Sequence, residues 1–186
     1  MTRGHQERLA PMAAEVMAMA GLDFSALERI GVTLGPGSFT GVRVGLAFAK
    51  GLSVALSIPC IGVGSLEALA ASDHPGPMVA IIDARHGQLY VQAFDKGAAL
   101  APPQVLSPPE AVAYVNITFG GRRPGFIGPG APALAEHLEG ATLHYLAAPD
   151  PLAVARLASS ASLSGGRPRP IYLRPPDART LAERNA

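Results

Sequence analysis

The residues from Gly35 to Leu52 read GPGSFTGVRVGLAFAKGL and hold five glycines and no acid. A glycine turn between a strand and a helix leaves free N–H groups at the helix start, which is chemistry suited to an anion. The named phosphate motifs do not fit the letters. A Walker A loop needs a lysine directly after its last glycine, whereas Lys50 lies far into the following segment. The dinucleotide fingerprint G-x-G-x-x-G wants its third glycine at position 40, which is Thr40. It also wants an acid for the ribose about 20 residues on, and none occurs between Arg29 and Leu66. The nucleophile elbow G-x-S-x-G fails at Ser38, where Pro36 and Thr40 replace the two glycines. Ser38 is instead expected to cap a helix. Any nucleotide contact made by this turn would fall on Gly35, Gly37, Ser38, Thr40 and Gly41.

The other reactive side chains are scattered. His5, His74, His86, His137 and His144 form no i, i+4 pair, so no metal site is expected. Asp83 ends the apolar run MVAIID, a common place for a catalytic acid, but beside Arg85 it reads as a turn-former or ion pair. Glu15 reads as part of a solvated helix face. Cys60 lies in IPCIGVG and reads as a buried thiol, and a single cysteine excludes an internal disulfide. No nucleophile comes with a positioned base. No catalytic residue is expected.

The elements that would hold these groups alternate between helix and strand. His5 to Ala20 places Leu9, Met12, Val16 and Met19 on one helical face, and Gly21 ends the helix. Ile30–Leu34 reads as a short buried strand, Phe39–Leu56 as a long helix and Cys60–Val63 as a second strand. Ser65 is expected to cap a helix through Ala71, with Glu67 in its first turn. DHPGP at 73–77 is a linker. MVAIIDARHGQLYVQAFD reads as a hairpin turning at His86-Gly87. After a Pro-rich connection come a helix at Pro109–Val115, a strand at Gly125–Gly128 and a helix at Pro132–Glu139. A strand at Leu143–Leu146, a helix at Pro151–Leu163 and PIYLR, a last strand or extended arm, complete the order. The class is α/β. The expected divisions are a first lobe over 1–76, a second over 77–174 and a tail over 175–186.

Gly41, Gly45 and Ala49 recur every four residues within the long helix. Each glycine there costs about 0.5–1 kcal/mol against alanine, which suggests a close approach by another backbone. The approach could come from the chain's own sheet or from a helix of another chain. Arg43 is open to both readings, a solvated charge or a partner contact. Charged residues make up only 16% of the chain, which suits a surface partly covered by a partner. A net charge of +1 with no basic stripe argues against stable nucleic-acid binding by the chain alone. No apolar run is expected to reach the length of a membrane span, and a cytoplasmic location is expected.

The block GPGSFTGVRVGLAFAKGLSVALSIPCIGVGSLEALA closely resembles the TsaB (YeaZ) family, whose members serve in making threonylcarbamoyladenosine on tRNAs. RGHQERLAPMAAEVM is similar to that family's first long helix, IDARHGQLYVQAF to its second-lobe hairpin and PIYLR to its C-terminal signature. The resemblance implies a two-lobed actin-like ATPase fold (ASKHA, ribonuclease H-like). It implies a non-catalytic scaffold that heterodimerises with TsaD, the transferase that modifies adenosine 37. It further implies that the ATPase TsaE joins at the junction, that tRNA is met only indirectly, and that homodimers use the same surface. That surface would take His5, Leu9, Met12 and Val16 from the first helix. From the glycine helix it would take Gly41, Val42, Gly45, Phe48, Ala49 and Leu52. No cofactor is expected on this chain alone, with ATP or ADP confined to the junction of the complex. Family members open with a strand and hairpin beginning like I-L-A-I-D-T-S. The chain is expected to start after them, leaving the first lobe N-terminally truncated with an unpaired strand edge. The readings weighed against the scaffold are a small-molecule kinase of the actin-like class, a protease acting on its partner, and an inactive truncated homodimer.

Overall fold

The computed structural model describes residues 5–71, 76–138, 140–163 and 166–174. Part of the expected linker, His74, Glu139 and the tail from 175 lie outside the described residues, as does the side chain of His5.

Local sequence sets the ends of the elements. Helix α1 runs His5–Ala20 and stops at Gly21, which adopts a left-handed φ of 65°. Strand β1 is Ile30–Thr33 and helix α2 is Phe39–Leu56. The Ser38 hydroxyl accepts a hydrogen bond from the Gly41 N–H at 3.3 Å, satisfying one of the free amides of the first turn of α2. At the other end Ser57 turns left-handed and its N–H closes onto Ser53 and Val54. Strand β2 is Cys60–Val63 and helix α3 is Ser65–Ala70. Gly64, not Ser65, holds the N-cap position of α3, because Ser65 already has helical geometry and is buried. The Glu67 carboxylate reaches back to the Gly64 N–H at 3.4 Å.

Beyond residue 76 the hairpin is as expected, with β3 at Met78–Arg85 and β4 at Gln88–Asp95 joined through His86 and Gly87. Two short strands follow in what reads as a Pro-rich connection: β5 at Ala98–Ala99 and β6 at Gln104–Leu106. Helix α4, Pro108–Phe119, is longer than expected at both ends. Strand β7 is Gly125–Ile127, helix α5 Ala131–Ala135, strand β8 Thr142–His144 and helix α6 Pro151–Ser160. All four therefore stop short of their expected C-terminal ends, and α5 and β8 also begin one residue earlier.

The larger sheet has six strands in the order β5-β4-β3-β7-β8, with β6 also on β4. Its β3–β7 and β7–β8 pairs are parallel and its β3–β4 pair antiparallel. Alternate residues of β3 serve opposite faces. Val79 and Ile81 pack with Val91, Ala111, Val115 and Leu134 beneath α4 and α5. Met78 and Ala80 pack with Leu66, Leu69 and Phe94 beneath α3.

The smaller sheet is β1 and β2 in parallel. Val32, Leu46 and Ala49 join α2 to one of its faces. Val63, Ala158 and Val154 join α6 to the other. At Gly31 an added Cβ would lie 2.9 Å from the Ala158 Cβ, so α6 sits at a distance that only glycine permits. Arg29 donates to the Ala158 and Ser159 carbonyls at 3.1 and 2.7 Å, placing a cation on the negative end of α6. Among the described residues β1 has no strand on its other edge. The division expected at residue 76 is not a clean spatial one. Helix α6 belongs to the β1–β2 layer, whereas α3 shares its core with β3.

Candidate partner surface and glycine turn

The glycine turn is held from three directions. Leu34 N–H bonds the Val63 carbonyl at 2.8 Å, Ser65 N–H bonds the Gly35 carbonyl at 2.8 Å, and Ile171 N–H bonds the Leu34 carbonyl at 2.8 Å. Gly35 has φ 96°, a conformation that L side chains rarely adopt, and a Cβ there would lie 3.1 Å from the Ile171 carbonyl oxygen. Gly37, Ser38, Thr40 and Gly41 are exposed, while Gly35 and Pro36 are buried. The turn opens onto a cleft of about 380 Å³ whose other walls are Ile82–Arg85, Tyr90 and Ile171–Arg174. The Asp83 carboxylate in this cleft accepts the Arg85 N–H at 2.7 Å, which makes it a turn-former. Among the described residues no three His, Cys, Asp or Glu side chains gather as metal ligands would.

The arm around Tyr172 does more than its sequence suggests. Arg43 stacks its guanidinium 3.6 Å from the Phe39 ring centroid and donates through Nε to the Tyr172 hydroxyl at 2.7 Å. The two rings lie 5.1 Å apart. Arg174 donates to the Ala84 carbonyl at 2.6 Å. The arm thus ties α2 to the end of β3. Arg43, open in the sequence between solvent and a partner, has contacts within its own chain. The only sequence signal for this clamp is an apolar and aromatic cluster, PIYLR, set between polar, Pro-rich flanks.

The expected partner surface divides. Helix α1 packs against α2, leaving Met12 42% and Val16 62% exposed, with Leu9 half-buried. Gly41 is exposed, and Val42, Gly45, Phe48 and Leu52 are half-buried. A Cβ at Gly45 would meet nothing within 4 Å, so the chain's own sheet does not account for that glycine. Ala49 is 5% exposed and packs with Val32 and Leu46, because successive four-residue steps rotate toward the sheet. Of the residues of α2 only Leu46 and Ala49 are fully buried, and the helix is long and apolar enough, by length and composition, to cross a membrane. This departs from the expectation that no segment reaches that length. Burial pushes the Cys60 thiol up in pKa, and Lys50 pulls it partly back.

Two α/β layers meet across a cleft with the glycine turn at its mouth, and the family model and solved structures that match this chain make the fold an actin-like (ASKHA) one. The TsaD family model, described as tRNA N6-adenosine threonylcarbamoyltransferase, matches residues 1–162. The Escherichia coli tRNA threonylcarbamoyladenosine biosynthesis protein TsaB is 35% identical over 92 residues, 47% of this chain and 40% of that protein. An uncharacterized Mycobacterium tuberculosis protein is 34% identical over 185 residues, 97% of this chain and 80% of its own length. The solved structure of YeaZ from Pseudomonas aeruginosa superposes with a TM-score of 0.72 at 26% identity, over 92% of this chain and 85% of that one. The chain belongs to the TsaD-type family and, within it, to the TsaB (YeaZ) branch. Its match spans 33%, 40% and 39% of the lengths of three curated relatives.

Proposed function

We propose that this chain is a cytoplasmic, non-catalytic scaffold in the biosynthesis of threonylcarbamoyladenosine at position 37 of tRNAs. In this reading it heterodimerises with a TsaD transferase through α1 and α2. TsaE joins at the junction, where any ATP or ADP sits, and tRNA is met through the partner. The observation that carries the reading is Gly45, a half-buried helix-interior glycine where a Cβ would meet nothing within 4 Å, on a helix of which only Leu46 and Ala49 are fully buried. A glycine there weakens the helix by about 0.5–1 kcal/mol, and no atom of the described chain lies close enough to a Cβ to require it. A closely approaching helix from another chain would. Asp83, the acid best placed for chemistry, is taken up by a turn hydrogen bond, in keeping with a scaffold.

The test is co-purification with TsaD from the same organism, beside a Gly45→Leu variant. A Cβ at Gly45 would meet nothing within 4 Å, and circular dichroism reports whether the variant keeps its fold. Wild type should retain TsaD and the variant should lose it. Retention of TsaD by the variant, or no binding by wild type, removes the reading.

A further inference from the structure

On the side of the smaller sheet away from β1 lies a groove of about 910 Å³ along the outer edge of β2. The parallel pairing fixes which backbone groups face it. Ile30 N–H bonds the Pro59 carbonyl, and Leu34 N–H bonds the Val63 carbonyl. Odd-numbered residues of this stretch therefore face β1, and Cys60 and Gly62 direct their N–H and C=O groups outward. Those groups have no hydrogen-bond partner among the described residues. A row of unpaired backbone donors and acceptors is what a further strand reads.

The walls say what kind of strand. Val54 of α2 is 78% exposed and Leu163 is 61% exposed, one on each flank of the groove. Among the described residues the charged ones that line the groove are Lys50, Arg167 and Arg169, with no carboxylate. Three cations beside an open strand edge attract negative charge and steer it in. A nucleic-acid backbone would satisfy the cations but not the alternating donors and acceptors of Cys60 and Gly62. A second copy would bring the same three cations against themselves.

We propose that this groove docks an extended, acidic segment of a partner protein as a third strand on β2. Apolar side chains of the segment would rest on Val54 and Leu163, and its carboxylates would meet Lys50, Arg167 and Arg169. This surface is separate from the α1–α2 face, so it could be occupied while that face holds a partner.

The test uses the full chain and a fluorescein-labelled hexapeptide alternating glutamate and valine, followed by anisotropy and amide hydrogen exchange. The peptide should bind saturably and slow exchange at Cys60 and Gly62. The double variant Arg167→Glu/Arg169→Glu, both exposed side chains, should weaken binding about tenfold. A lysine–valine hexapeptide that binds equally well overturns the proposal. So do unchanged exchange at Cys60 and Gly62, or tighter binding of polyuridylate than of the peptide. A chain that dimerises by itself with those two amides protected would assign the edge to a second copy instead.

Discussion

Arg43 donates its Nε hydrogen to the hydroxyl of Tyr172 at 2.7 Å, across 129 positions of sequence. With the Phe39 ring beneath the same guanidinium, one side chain joins the start of α2 to the arm. Arg43→Ala should destabilise the fold by about 1–2 kcal/mol, the sum expected of one hydrogen bond and one exposed cation–π contact. Tyr172→Phe keeps the ring and should cost less, about 0.5–1 kcal/mol. Arg43→Lys should not restore the loss, since an ammonium cannot both stack flat and reach the hydroxyl. Urea unfolding reads these values. Faster amide exchange at Ile171 in all three variants would place the effect in the arm, and unchanged exchange there would refute the clamp.

Gly128 tests the joint between the two faces of the larger sheet. It has φ 106°, and a Cβ there would run into the Ile81 carbonyl oxygen and lie 3.0 Å from Leu69 Cδ1. Gly128→Ala should cost about 2–5 kcal/mol from backbone strain and overpacking together. Leu69→Ala empties a fully buried site and should cost about 2–5 kcal/mol by itself. The double variant should not recover stability, because the Ile81 carbonyl stays in place. Recovery on thermal unfolding would show that the Leu69 contact alone makes position 128 a glycine.

The start of α4 gives a pH signature. The Ser107 hydroxyl donates to the Glu110 carboxylate at 2.6 Å, and the Ser107 N–H donates at 2.8 Å. The hydroxyl first, and the amide second, hold the Glu110 carboxyl below its usual range. A lowered folded-state pKa means the stabilisation is present above the unfolded value and lost as pH falls through the folded one. Wild type should therefore be more stable than Glu110→Gln at pH 7, and the gap should close below about pH 4. A gap that is constant from pH 7 to pH 3 would contradict the capping role.

Much of this molecule can be read from local pattern. The ends of α1 and α2, the β1 and β2 strands and the hairpin at His86-Gly87 follow from helical or alternating periodicity bounded by Gly, Ser and Pro. Strands β5 and β6 escape this reading because two or three residues carry no period. Ala49 is covered by the sheet because a four-residue stripe drifts around a helix of 3.6 residues per turn. The Arg43–Tyr172 pair and the seating of α6 on Gly31 are tertiary, and no local signal encodes them. On the candidate surface the sequence marks which residues are small and apolar. It does not mark which of them the chain itself covers.

The seating of α6 also orders events during synthesis. Strands β1 and β2 leave the ribosome early, yet one of their faces is covered by Val154 and Ala158, and the turn after β1 is tied by Ile171. Domains tend to fold as units while the chain emerges. Here the β1–β2 layer must wait, half-dressed and with its apolar face open, for α6, which is made only after every strand of the larger sheet. The nascent chain is therefore most in need of chaperone protection after β2 has emerged and before residue 151 appears.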